Sequence, residues 1–112
     1  GGVLEPAGAR PVIVEDDAFV GGLVGLFEGI VVRRRAVLAS GVVITGSSII
    51  YDLVHGRELR QEVPEGAEVV PGSRPASGDF ARAQGLQVAA PCIVKYRDDR
   101  TDAATALEQA LR

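Results

Sequence analysis

Aliphatic residues recur at every sixth position from Val14, through Val20, Leu26, Val32, Leu38, Ile44 and Ile50. Val, Leu and Ile together supply only 31 of the 112 residues, so composition does not account for an unbroken run in one phase. Four positions after each hit the residues are small or apolar: Ala18, Val24, Ile30, Ala36, Val42 and Ser48. A period of six matches neither the 3.6-residue stripe of an amphipathic helix nor the simple alternation of a strand. It does match a parallel β-helix of hexapeptides, in which each unit forms one flat face of a triangular prism and the recurring aliphatic points at the axis. Gly21, Gly22, Gly25, Gly29, Gly41 and Gly46 suit the corners between faces, and β-branched residues such as Val31, Val37, Val42 and Val43 suit the extended faces. The expected fold is therefore all-β, with coils over about residues 12–74. The competing reading is a helix or mixed sheet with accidental spacing.

The remaining segments break the pattern in readable ways. Residues 1–11, with Pro6 and Pro11 about Gly8, read as an irregular entry loop. Between Tyr51 and Glu62 the count fails, and the stretch from Asp52 to Arg60 reads as a hairpin thrown out of the prism with its turn near Gly56. Val63 and Val69 restore the phase, with Ala67 and Ser73 in the small position. From Arg74 to Gly85 a turn-rich polar run predicts an exposed loop. Leu86 to Tyr96 has strand character, with Pro91 marking an edge or irregularity. Thr101 caps a predicted short α-helix to Arg112, whose apolar stripe would lie against the prism or a neighbouring subunit.

Length predicts one domain over residues 1–112. A net charge of −3 and few aromatic residues argue against nucleic acid as partner. The single cysteine, Cys92, lies in an apolar run and reads as a small buried hydrophobe, with a catalytic thiol as the alternative. The chain shows neither a secretory leader nor an apolar run long enough for a bilayer, and the expected compartment is the cytoplasm. It opens on Gly1 and Gly2, with no initiator Met and no capping segment ahead of a repeat, so it reads as a fragment of a longer chain whose first coil needs a cover.

Several strings outside the bare repeat resemble the tetrahydrodipicolinate N-succinyltransferase family of hexapeptide-repeat acyltransferases, in its C-terminal part. They are Gly1-Gly2-Val3-Leu4-Glu5-Pro6, Val14-Glu15-Asp16-Asp17, Glu28-Gly29, Val69-Val70-Pro71-Gly72-Ser73, Ile93-Val94-Lys95, and the tail from Asp98 to Arg112. The resemblance implies left-handed coils, against the usual right-handed crossover rule. It also implies transfer of a succinyl group from succinyl-CoA to the amine of tetrahydrodipicolinate in lysine and diaminopimelate synthesis, by a homotrimer with sites between adjacent prisms. No bound cofactor and no metal are implied, and neither a membrane nor a nucleic acid is an expected partner.

Glu28, in the family-like Glu28-Gly29 pair, is the candidate catalytic residue, a carboxylate able to accept the amine proton; its alternative is a solvated or trimer-interface side chain. One branch of the family carries an acid three positions earlier, where this chain has Gly25. The family's other important Asp, and an Arg for substrate carboxylate, precede Gly1. For CoA, Lys95 and Arg97 are phosphate candidates, Gly72, Ser73 and Arg74 could line the pantetheine path, and Ser47 beside Gly46 is a further candidate. Arg33-Arg34-Arg35 reads first as a solvated corner or intersubunit ion-pair set, with attraction of an anionic substrate as the alternative. Among rival chemistries, zinc-dependent β-helix carbonic anhydrases need several histidines and this chain has only His55. Sugar acetyltransferases of the same fold often use a histidine base, which makes a CoA-dependent acetyltransferase acting through His55 the runner-up. A catalytically incomplete trimeric scaffold is the non-enzyme alternative.

Overall fold

The computed structural model describes residues 10–97. Strands β1 (Ile13–Val14), β2 (Phe19–Val20) and β3 (Gly25–Leu26) form a first coil, and β4 (Val31–Val32), β5 (Val37–Leu38) and β6 (Val43–Ile44) form a second. Each strand of the first coil pairs in parallel with the one eighteen residues on, Ile13 opposite Val31, Phe19 opposite Val37 and Gly25 opposite Val43. Eighteen residues are three hexads, so one turn of chain makes three faces and the architecture is the expected all-β parallel β-helix.

The corners show a second six-residue rhythm. Backbone φ is positive at Asp17 (60°), Leu23 (59°), Gly29 (81°), Arg35 (62°) and Gly41 (87°). The first five corners of the prism thus carry a left-handed residue whatever the side chain, a rhythm that stops at the Gly46–Ser47 corner. Where the residue is not glycine this costs about 1–2 kcal/mol.

The third coil is interrupted. Strand β7 (Ile49–Asp52) leaves the prism, turns through Gly56 at φ 65°, and returns as β8 (Arg57–Arg60), pairing antiparallel from Ile49–Arg60 to Asp52–Arg57. Strand β9 (Glu62–Val63) then takes the place over β4, with Val31 opposite Glu62. The protruding hairpin is therefore present, but it begins earlier than the repeat implies. Ile50 keeps its aliphatic phase and is fully buried, yet its strand pairs with β8 and not with a coil strand. The uninterrupted coils end at Ile44, not at Asp52.

Strand β10 (Ala67–Pro75) lies over β5, Leu38 opposite Val69, and then runs on out of the prism. Helix α1 (Asp79–Gln84) forms its tip and β11 (Gln87–Tyr96) returns antiparallel, with Val69 opposite Ile93 and Pro75 opposite Gln87. The expected exposed loop over residues 74–85 is thus corrected to the end of β10 and a short helix between Gly78 and Gly85; most of α1 is exposed, with only Ala81 buried. β11 also pairs in parallel with β7, Tyr51 opposite Cys92. One six-stranded sheet, β2-β5-β10-β11-β7-β8, so joins a prism face to both hairpins, while among the described residues the face of β3 and β6 has two strands.

The core is the axial row Val32, Leu38, Ile44, Val63 and Val69, each fully buried, with Ile30, Val42, Ala36 and Ala67 beside it. On the edge between the first two faces, Arg33 ties the coils together by donating to Glu15 at 3.0 Å and Glu62 at 2.6 Å, and Arg34 meets Glu65 at 3.5 Å. Arg33 and Arg34 thus find their partners within the chain, where an intersubunit set was expected. The predicted entry loop and C-terminal helix lie outside the described residues. Among the described residues no helix is long and apolar enough to cross a membrane.

Candidate active site

Because β10 leaves the prism where a third corner would turn, the two-stranded face stops one coil early. A groove of about 240 Å³ occupies that place, between Gly41, Val43 and Ser48 on the prism and Gly72, Ala89 and Ala90 on the second hairpin. Val42, Pro71 and Pro91 complete its lining. Val43 on β6 is half exposed, and among the described residues no strand pairs with the outer edge of β6. Gly72 makes the hairpin wall possible: a Cβ there would stand 2.6 Å from Cys92 Sγ and 3.0 Å from the Ala90 carbonyl oxygen.

Cys92 backs this wall. It is buried, and burial pushes its thiol up from the ordinary value, so it serves as a small hydrophobe and not as a thiolate nucleophile.

The structure distributes the other candidates over three places. Ser73 and Arg74 follow Gly72 along β10; the Ser73 hydroxyl donates to Gln87 Oε1 at 3.4 Å, and Arg74 Nη1 donates to the Pro75 carbonyl at 3.3 Å. Glu28 sits half-buried at the corner between β3 and β4, directly below the Gly46–Ser47 corner of the next coil. Ser47 is exposed there; its hydroxyl is 3.3 Å from Thr45 Oγ1, and its carbonyl accepts from Arg60 Nη1 at 3.3 Å. Lys95 lies on β11 opposite Glu68. Arg97 is turned inward, its Nη1 donating to the Arg35 carbonyl at 3.0 Å and its backbone N–H to the Gly66 carbonyl at 2.7 Å. Only Gly72 lines the groove, and Glu28 and Ser47 stand on another edge of the prism.

A second polar centre lies on the first hairpin. The Asp52 side chain is fully buried at the end of β7. Its Oδ2 accepts from Tyr96 Oη at 2.6 Å and Arg57 Nε at 2.9 Å, and lies 2.9 Å from His55 Nδ1. Its Oδ1 accepts the backbone N–H groups of Val54 at 3.1 Å and His55 at 3.2 Å. Burial alone would raise this acid, but the bonds from Tyr96, His55 and Arg57 outweigh it and hold the carboxyl well below the usual carboxylate range. Burial, and then the carboxylate it donates to, push the Tyr96 hydroxyl up. His55 meets the Tyr96 ring edge-on, with centroids 4.8 Å apart. Beside the cluster is a cavity of about 610 Å³ lined by Tyr51, Leu53, Arg57 and Glu58 among others.

Sequence reasoning placed His55 in the hairpin but missed Asp52 and Tyr96. The signal for Asp52 was an aspartate opening a turn, where its side chain accepts backbone N–H groups two and three residues on. For Tyr96 there was none, because its partner is 44 residues away.

Residues 11–46 match the model of the hexapeptide repeat of succinyl-transferase. Over all 112 residues the chain is 45% identical to 2,3,4,5-tetrahydropyridine-2,6-dicarboxylate N-succinyltransferase of Rhodopseudomonas palustris (strain BisA53), covering 40% of that protein. It is 44% identical, again over its full length and 40% of the relative, to the enzyme of the same name from Nitrobacter winogradskyi (strain ATCC 25391 / DSM 10237 / CIP 104748 / NCIMB 11846 / Nb-255). It is 40% identical to Protein TabB of Pseudomonas amygdali pv. tabaci, covering 39% of it. The chain thus spans about two fifths of the length of the curated relatives it matches.

Proposed function

We propose that this chain is the hexapeptide-repeat part of an acyltransferase that moves a succinyl group from succinyl-CoA to the amine of tetrahydrodipicolinate, in lysine and diaminopimelate synthesis. The observation that carries the reading is the full-length similarity to enzymes that bear that name. The enzyme works in the cytoplasm as a homotrimer, the apolar edge left open at β6 facing a neighbouring prism. CoA is a co-substrate that enters and leaves, not a resident group.

The groove beside Gly72 fits the donor side of this chemistry. A pantetheine arm is an extended chain with two amides, and a narrow cleft of small side chains along an open strand edge can accept it in the manner of an added strand. In the transfer water first adds across the ring C=N bond of tetrahydrodipicolinate, a cyclic imine, to give a nitrogen that carries N–H; that nitrogen attacks the thioester carbonyl, a C–N bond forms, the C–S bond breaks, and the nitrogen's proton passes to a base while CoA leaves as the thiol. Developing charge on the carbonyl oxygen needs N–H or O–H donors; the Ser48 hydroxyl on the groove wall accepts from the Thr45 backbone N–H at 2.9 Å and lies 3.0 Å from Thr45 Oγ1, and it can donate to the oxyanion when Thr45 Oγ1 supplies the proton of that contact.

A second reading, acetyl transfer to another amine, is favoured by the His55–Asp52 pair. Thiol release separates the two readings. Turnover of succinyl-CoA with tetrahydrodipicolinate, and none of acetyl-CoA with amino sugars, is the expected result; the reverse preference overturns the proposal.

A further inference from the structure

We propose that the arm from Gly72 to Ala90 is a lid, hinged where Pro71 and Pro91 face each other, that closes over the groove onto an extended amide chain of the pantetheine kind. This rests on the reading of the groove as the donor site and gives that site a moving wall.

The hinge follows from backbone bonding. Along a strand, residues two apart direct their N–H and C=O groups to the same side. The Val69 carbonyl accepts the Ala39 N–H at 2.9 Å and so faces the prism; the Ile93 carbonyl accepts the Leu53 N–H at 3.0 Å and so faces the first hairpin. Two residues further into the arm, the groups aimed at those flanking strands belong to Pro71 and Pro91, which stand opposite each other in the β10–β11 ladder. Neither has an N–H to donate, so neither flanking ladder can run on. The last partners are Leu38 with Val69 on one flank and Tyr51 with Cys92 on the other. At one level, therefore, the sheet narrows to β10 and β11 alone.

Beyond that level the arm holds together but is barely held down. From Ser73 to Ala89 only Ala81 is buried. Ser73 donates to Gln87, the Ala76 N–H to the Leu86 carbonyl and Arg82 to Asp79, all within the arm. The Pro71 ring rests on the prism at the Gly41 corner, where an added Cβ would lie 3.6 Å from its Cγ, and so forms the fulcrum. A ribbon with so little buried surface belongs to the low-stability end of a fold, from which lids are drawn. The groove lies beside the fulcrum, with Val43 and Ser48 on the prism and Gly72, Ala89 and Ala90 on the arm. With no side chain at Gly72 and only methyl groups at 89 and 90, the arm can come close to a chain laid along the open edge of β6. Contacts made to that chain only in the closed position are what shift the arm.

The test needs no turnover. Nitroxide labels at S40C on the prism and Q84C on α1, both exposed positions, are placed on the 112-residue chain in a C92A background. Dilution with unlabelled chain keeps each measured distance within one copy. Double electron–electron resonance of the free chain is expected to show a longer and a shorter population, and saturating CoA is expected to remove the longer one. Pantetheine, which lacks the nucleotide, is expected to do the same at higher concentration; a shift with CoA alone would overturn pantetheine as the occupant. P71V/P91V restores both N–H groups and is expected to narrow the free distribution and abolish the response. A response of wild-type size in that variant would reject the proline pair as the hinge. Titration calorimetry keeps the two readings apart: CoA bound with an unchanged distance rejects the lid and leaves the donor groove, whereas CoA that does not bind removes both.

Discussion

The first and second coils carry the same six-residue phase and reach very different states of burial. In the first, Val14 is 46% and Val20 40% exposed; in the second, Val32, Leu38 and Ile44 are fully buried. The residue types are alike and the parallel register is the same. What differs is the neighbourhood, because coil two lies between β1–β3 and the third-coil strands β9 and β10, whereas coil one has a described coil on one side only. A hexad therefore dictates that a side chain points along the axis, and stacking decides whether that direction is worth anything. This is the nearest-neighbour logic of a repeat protein, in which each unit is stabilised chiefly by the interface it shares.

The largest test of that contrast is a matched pair of truncations. Leu38→Ala removes a fully buried axial side chain with a coil above and below, and should cost about 2–5 kcal/mol. Val20→Ala, on the same face one coil earlier, removes a smaller side chain already two fifths exposed and should cost about 1 kcal/mol or less. Urea unfolding of the two variants compares them. Equal losses would mean that the coils do not differ as their burial implies.

How much of this was legible follows from the range of each interaction. The faces of the prism were readable because every hexad repeats the same local instruction, and Val63 and Val69 could be placed back in phase after the hairpin. The pairing of Val69 with Ile93, 24 residues away, left no comparable mark, and the segment between them carried turn residues that suggested a loop. Helix α1 is six residues long, too short for periodicity to show, although Gly78, Asp79 and Gly85 are its natural boundaries. The groove beside Gly72 exists because a strand is missing from one face, and no residue type announces an absent strand. Asp52 and Tyr96 met through tertiary structure alone, so the polar centre they build was only half visible, as His55.

The hairpin offers a second contrast, since it is held by that polar centre where the coils are held by axial aliphatics. Asp52 has a folded-state pKa depressed below its unfolded value of about 3.9. The stability it contributes is thus complete above that value and is lost as pH falls through the folded-state value. Amide protection across Ile49–Arg60 should drop below about pH 4 while that of Val32 and Leu38 persists, and D52N should flatten the hairpin's acid limb and cost about 1–3 kcal/mol at neutral pH. Hydrogen exchange followed by NMR reads both. Simultaneous loss in hairpin and coil would show that the insertion and the prism open as one unit.

The smallest effect separates the coils at a single corner. Leu23 and Gly41 occupy equivalent positions one turn apart, at φ 59° and 87°, and Leu23 is 94% exposed. Leucine buries almost nothing there and bears the left-handed penalty of about 1–2 kcal/mol, whereas Gly41 bears none. Leu23→Gly should therefore stabilise the chain, with the gain reduced to about 0.5–1 kcal/mol because glycine also frees the unfolded state. In the reverse exchange, a Cβ at Gly41 meets only Pro71 Cγ at an ordinary 3.6 Å, so Gly41→Leu should cost the backbone strain alone. Thermal unfolding of both variants gives the signs. If Leu23→Gly is destabilising, then Leu23 makes a contact in the assembled protein that its exposure in a single chain conceals, and the first coil is less open than the second coil makes it look.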